Sequence, residues 1–375
     1  MKISKSGAVW LGATAMAASM ASADGLPGSM VWSSYDVGSS GYVEASAIAD
    51  ALSRAEDVRV RIMPSGTAIG RLLPMRTGRV DYGYLANEVY FATEAIYEFS
   101  AQEWGPQDLR VLLGRPASFG MAVAGDAGVE TLEDLRGKRV AYVQANPSVN
   151  IKVEAMLALA GLSWDDVDRV EVPSFAASTR GLIEGTVHAA GTVTTGANLF
   201  ELESSNRGIV WPDLPPASDT EAWDRLREVA PIFEAMDETI GAGLSDDNPA
   251  ILMSYRYPMV TVYADRDADE VYAMTKAIVE NFDLYKDVSA AMPRWSVDIA
   301  GTPPTDAPFH EGAIRYLAEA GIWTDEHQAW NDSRLERLNK VIEAWDNAQE
   351  AALEQQISGG QWAGFWADWQ AEHLQ

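Results

Sequence analysis

The chain has 375 residues, with 28 Lys and Arg against 55 Asp and Glu, a formal net charge of −27 and no cysteine. Such a balance disfavours nucleic acid and anionic lipid as partners, and the missing thiols exclude disulfides, thiol catalysis, zinc–thiolate sites and iron–sulfur clusters. The length fits two domains, and the charge is spread along the chain, which reads as a heavily hydrated surface rather than a disordered tail.

Residues 1–23 read as an export signal. Lys2 and Lys5 form a basic start, Gly7 to Met20 is mostly apolar, and Ala21-Ser22-Ala23 is an A-x-A cleavage site. Cleavage is expected after Ala23, leaving Asp24 first, and a periplasmic location follows. The mature chain opens with a short apolar run, Met30-Val31-Trp32. A polar loop follows, then an amphipathic stretch with Ala45, Ile48, Ala49 and Leu52 at helical spacing. This is strand, loop, helix. Val58, Val60 and Ile62 alternate with Arg59 and Arg61 and predict a second strand. The loop 64–67 leads into a second helix. Val80 to Leu85 predicts a third strand, which feeds Ala86-Asn87-Glu88 and a third helix. Three such units imply a parallel sheet whose loops share one edge.

Leu109–Leu113 and Met121–Ala124 read as strands flanking Gly114-Arg115-Pro116. A second series then begins at Thr131: strand 139–143, loop 144–150, helix 151–160, strand 169–172, helix 176–184, strand 187–193 and helix 197–204. Residues 219–237 read as helical. Pro258 to Ala264 is strongly β-prone, and helices are expected at 267–282 and through most of 309–353. If the 258–264 strand returns to the first unit, the chain crosses between two lobes twice. The expected fold is therefore an α/β two-lobed clamshell with a doubly crossed hinge and a ligand cleft between the lobes. Lobe 1 comprises 24–115 and 262–357, and lobe 2 comprises 116–261. After Gly359-Gly360 the tail 358–375 places Trp362, Phe365, Trp366 and Trp369 on one helical stripe, read as a helix packed back on the body.

The site residues follow from the loops, because open α/β sheets bind ligands at the carboxyl ends of their strands. Hydroxyls and backbone N–H groups at helix starts suit an anion. They nominate Ser39, Ser40 and Tyr42, then Ser65, Gly66 and Thr67, then Asn87, with Ser148 and Asn150 from the second lobe and Thr194 after its strand. Tyr35 can wall the pocket. Arg115 and Arg256 stand beside the two expected crossings and could clamp a carboxylate. The histidines are His188, His310, His327 and His373, and none stands at zinc-ligand spacing. HExxH fails at Ile314, no G-x-S-x-G elbow or phosphate loop occurs, and Asp265 to Lys276 lacks the calcium-loop glycine and glutamate. No metal and no cofactor is expected.

Two stretches carry a family resemblance. Leu135-Arg136-Gly137-Lys138-Arg139-Val140 resembles the start of the second lobe in periplasmic solute-binding proteins. Pro308-Phe309-His310-Glu311-Gly312-Ala313 with Tyr316 and Gly321 resembles the late "HPGA…Y…G" motif of TAXI-type receptors. Those receptors serve tripartite ATP-independent periplasmic (TRAP) transporters. The resemblance implies a type II-like binding-protein fold. It also implies a monomeric, non-enzymatic receptor for a small organic acid or amino acid, with TRAP membrane subunits as partner. The pocket loops depart from the family pattern: Val37-Gly38-Ser39-Ser40-Gly41-Tyr42 stands for T-G-G-T-Y-Y, and Ala86-Asn87-Glu88 for Q-S-D. A sensory module for a membrane signalling protein is the competing reading. An enzyme on the same clamshell comes behind it, since the loops offer no convergent acid/base pair.

Overall fold

The computed structural model describes residues 25–374; the expected leader and its cleavage site lie outside them. In the first lobe, β1 (Ser29–Ser34), α1 (Ser40–Ala55), β2 (Arg59–Pro64), α2 (Ala68–Arg76), β3 (Tyr82–Leu85) and α3 (Glu88–Glu94) alternate. β1 pairs in parallel with both β2 and β3. Side-chain caps start the helices: Ser39 Oγ accepts from Tyr42 N and Thr67 Oγ1 from Gly70 N. The apolar stripe of α1 buries Ala45, Ile48, Ala49 and Leu52 against the sheet.

The chain then enters β4 (Leu109–Ala124), one strand rather than two separated by Gly114-Arg115-Pro116. The partner strand β10 (Ala250–Tyr263) shifts register between Arg256 and Met259, opposite Pro116 and Gly114. A bulge at that point lets a proline, which has no N–H to give, stay within the ladder. The second lobe comprises β5 (Arg139–Val143), α4 (Pro147–Leu159), β6 (Asp168–Val172), α5 (Phe175–Glu184), β7 (Ala189–Thr192), α6 (Ala197–Ser204), β8 (Ile209–Val210), α7 (Thr220–Val229) and β9 (Glu234–Glu238). The 219–237 stretch is helical only to Val229. Pro231 removes a donor, and β9 pairs antiparallel with β10. After β10 come α8 (Ala268–Glu280), α9 (Val297–Ala300), α10 (Glu311–Glu319), α11 (Asp325–Glu354) and α12 (Trp362–His373).

Strand order runs β2-β1-β3-β10-β4-β7-β5-β6, with β8 on β4 and β9 on β10. The long strands β4 and β10 run antiparallel through both lobes. In the first lobe β10 lies between β3 and β4, and in the second lobe β4 pairs with β7 and β10 with β9. The fold is a mixed α/β clamshell of two lobes, type II-like, joined by these two strands. Helix α10 packs on α8: a side chain at Gly312 would strike the Ala268 carbonyl, and Tyr316 meets Tyr272 at 5.7 Å. His310 caps α10 by accepting from Gly312 N. Helix α12 seats Trp362 and Trp366 on Trp345, Ala348 and Ala95 in a second, smaller core. The Trp366 indole donates to Ala95 O at 2.8 Å. Among the described residues no helix is long and apolar enough to cross a membrane.

Candidate functional site between the lobes

The βα loops of the first lobe meet those of the second directly. Asp36 Oδ2 accepts from Ala176 N at the start of α5 (2.9 Å), where the helix dipole favours a carboxylate. Gly66 O accepts from Phe175 N (3.2 Å) and from the Asn146 amide (3.1 Å), Ala68 N donates to Ala145 O (3.1 Å), and Ala197 N to Gly38 O (3.3 Å). Gly66 has to be glycine here, because a Cβ would overlap Ser174. The lobes are closed on one another.

Behind this seam lies a buried cluster of charged and aromatic groups. Arg71 stacks its guanidinium on the Tyr35 ring, 3.4 Å from the centroid, and donates to Glu88 Oε1 (2.8 Å) and Ser65 O (3.0 Å). Both members of the Arg71–Glu88 pair are fully buried. Tyr35 packs edge-on against Tyr257 and Phe175, and its hydroxyl lies 3.4 Å from Ser148 Oγ. From the second lobe, Lys152 reaches across and donates to Asn87 Oδ1 (2.6 Å) and Ser148 Oγ (3.3 Å). The Asn87 amide in turn donates to Asp306 (2.7 Å). Lys152 Nζ sits 4.3 Å from the Tyr255 ring and 4.8 Å from Phe119. Burial brings the Lys152 ammonium down to about 7, against the opposing pull of Glu88 and Asp306. Burial also lifts the Asp306 carboxyl to about 6, although Asn87 and Lys152 favour its ionised form. The Tyr35 hydroxyl is held well above its ordinary range by burial.

Several buried polar atoms in this region lack a close hydrogen-bond partner within the protein: Asp36 Oδ1, Arg71 Nη2, Glu88 Oε2 and Asn146 Oδ1, together with Ser40 Oγ and Tyr257 OH, which have only each other in reach. Tyr257 OH points at the start of α1, 2.5 Å from where a Gly41 Cβ would lie. Such atoms are costly to bury unpaired. One donor of a guanidinium, three acceptors and two hydroxyls, drawn from both lobes, are what a small polar solute could pair.

The structure brings Tyr35, Ser40, Gly66, Asn87 and Ser148 to this region. Ser39 lies at its edge, its Oγ donating to Asp36 O and accepting from Tyr42 N as the α1 cap. Thr67 caps α2, with Ser65 Oγ beside it at 3.5 Å. Tyr42 is turned to the outer surface, where it lines a shallow pocket with Asp50 and Arg59. Asn150 spends both ends of its amide on the backbone of Val143, because α4 begins at Pro147 and places the residue in its first turn. Thr194 donates to Ile240 O. Arg115 is buried in a two-bond pair with Glu44 (2.6 and 2.5 Å), which also accepts from the Trp295 indole. Arg256 binds the carbonyls of Gly114, Ile299 and Pro304.

Arg71, Glu88, Lys152, Asp36, Asn146, Tyr255, Tyr257 and Asp306 were not nominated by the loops. Two left a readable signal. Arg71 stands on the same α2 stripe as Ala68, Leu72 and Met75, and Lys152 interrupts the apolar run of α4. A long cation on an apolar stripe has to find a partner across a packed interface. Asp306, in a Pro-rich turn, left none.

Among solved structures, the chain is similar to a protein of Bordetella bronchiseptica RB50 (19% identity, 82% of this chain and 98% of that one, TM-score 0.48). It is also similar to the periplasmic aliphatic sulphonate-binding protein SsuA of Escherichia coli (17%, 82% and 79%, TM-score 0.42). A third similar structure is the substrate-binding protein of an amino acid ABC transporter (12%, 72% and 99%, TM-score 0.41). The model of the NMT1-like family matches residues 36–321, which run from the Asp36 latch past the α10 motif, and the chain belongs to that family.

Proposed function

We propose that this protein is an extracytoplasmic receptor that closes its two lobes on one small solute bearing a carboxylate and releases it unaltered to a membrane transporter. The observation that carries this reading is the convergence of unpartnered polar atoms from both lobes on the Tyr35–Arg71–Lys152 cluster. The Arg71 Nη2 donor and the Ser40 and Tyr257 hydroxyls suit a carboxylate. Glu88 Oε2, Asp36 Oδ1 and Asn146 Oδ1 suit an ammonium, so amino acids are favoured over oxoacids. The resemblance of the His310–Gly321 stretch supports a TRAP-type transporter, whose membrane subunits would read the closed form. Cleavage after Ala23 and a periplasmic location belong to the same reading.

The test is calorimetric titration of ligand-stripped mature protein against amino acids, oxoacids and sulfonates, repeated on Arg71→Met and Ser148→Ala. Binding of one class is expected, weakened by about tenfold in Ser148→Ala, the weight of one hydrogen bond, and more in Arg71→Met. Full affinity in both variants would refute the site, and turnover of the bound solute would refute the receptor.

A further inference from the structure

A second pocket lies on the hinge side of the molecule, with a volume of about 500 Å³. That is within the ordinary range for a small-molecule site, roughly 300–1,000 Å³. Its walls come from every part of the fold. Tyr90 and Trp330 belong to the first lobe, Pro231 and Ile232 to the second, and Tyr255 and Arg256 to the strand β10 that joins them. The walls are more apolar than polar. Among the described residues, Arg256 is the pocket's one cation without an ion-pair contact, although the Asp306 carboxyl acts on it from farther off. The guanidinium donates to the carbonyls of Gly114, Ile299 and Pro304, and among the described residues it pairs with no carboxylate.

The other charges of the pocket are engaged elsewhere. Glu234 pairs with Arg227, Arg334 with Glu94, and Asp306 accepts from Asn87. A cation held mainly by neutral carbonyls, in a chain of net charge −27, is unusual. Burial also lowers its hold on its proton, to about 10, against the opposing pull of Asp306, and a second anion in contact with it would oppose that shift further. Trp330 offers a ring for an aromatic group to pack on, beside Tyr90, which it shares with Arg334; Tyr255 closes the back of the pocket and is itself covered by Lys152 and Tyr257.

We propose that this hinge pocket is a second binding site, beside the cleft between the loops and bordering it at Tyr255 and Asp306, for a small aromatic carboxylate whose anion meets Arg256 and whose ring packs on Trp330 and Tyr90. Phenylacetate serves as the probe, with phenylacetamide removing the charge and acetate removing the ring. Titrated into the mature chain, phenylacetate is expected to bind at least about tenfold more tightly than either control, the weight of one charge-assisted contact or one buried ring. Arg256→Gln should abolish that preference for the anion. Because Arg256 also ties three segments together, Ile232→Trp is the companion variant: it fills the slot from a wall that Arg256 does not bond. It should melt with the same cooperativity as the parent measured alongside it, and not take up phenylacetate. Equal binding of phenylacetate and phenylacetamide would overturn the proposal. So would full binding in a folded Ile232→Trp, or loss of binding in Ser148→Phe with retention in Ile232→Trp, which would put the probe in the cleft.

Discussion

Lys152→Met isolates the energetics of the bridge between the lobes. Lys152 is 1% exposed, and its ammonium is enclosed by Asn87, Ser148 and aromatic rings. Its ordinary value of 10.5 falls to about 7 in the folded protein, chiefly by burial. Between those two values the unfolded chain binds more protons than the folded one, so stability rises as pH rises through that window. At about 1.36 kcal/mol per pKa unit, moving from pH 6.5 to pH 9 relieves about 2–3 kcal/mol of the cost of a buried ammonium. Methionine has nearly the same length, suits the aromatic wall and does not titrate. The unfolding free energy of Lys152→Met minus that of the parent should therefore be about 2–3 kcal/mol smaller at pH 9 than at pH 6.5. Urea unfolding of both proteins at the two pH values measures it. A difference that does not move with pH would refute the dry, charged bridge.

Glu88→Ala strands the Arg71 guanidinium in the core and should cost about 3–5 kcal/mol in chemical unfolding. Gly66→Val sets a side chain against Ser174; solution scattering should show a larger radius of gyration and titration a weaker grip, with the melting temperature little changed. Trp366→Ala removes a fully buried ring and its bond to Ala95 O; it should destabilise by about 3–5 kcal/mol and leave solute affinity unchanged. Ser39→Ala and Thr67→Ala each lose a helix cap and should each lower stability by about 1 kcal/mol. A change in affinity without a change in stability would make these two hydroxyls direct ligands.

The architecture was legible because period and punctuation agree. The alternation at 58–62, the caps at Ser39 and Thr67, and the β-prone run at 258–264 each state one local choice, and the sheet combines them. The same reading split β4 at Gly114-Arg115-Pro116, since a bulge depends on the partner strand and leaves no local mark. It carried the 219–237 helix past Pro231 into β9 because amphipathic period outlasts the helix there. The loops of the site were legible as Ser/Gly runs. The charges behind them were not, because Glu88, Lys152 and Asp306 lie far apart in sequence and meet only when α3, α4 and the turn before α10 pack together.

The cluster also explains why closure should wait for solute. Shutting the lobes without one leaves Arg71 Nη2, Glu88 Oε2, Asp36 Oδ1 and Asn146 Oδ1 out of water and unpaired, at about 1–3 kcal/mol for each such group. Against this stand the few bonds of the seam, each contributing only about 0.5–1.5 kcal/mol net. Opening rehydrates the orphaned atoms, so on these terms the empty protein gains little by staying shut. A solute whose own donors and acceptors match the orphaned atoms removes the penalty in the closed form alone. It therefore binds that form more tightly, and differential affinity is the only means by which a ligand shifts such an equilibrium. The same groups then set both selectivity and closure. Replacing two of the four with apolar side chains, Arg71→Met together with Glu88→Leu, should leave a protein that closes more readily without solute and responds to it less. Solution scattering with and without the solute reads that outcome directly.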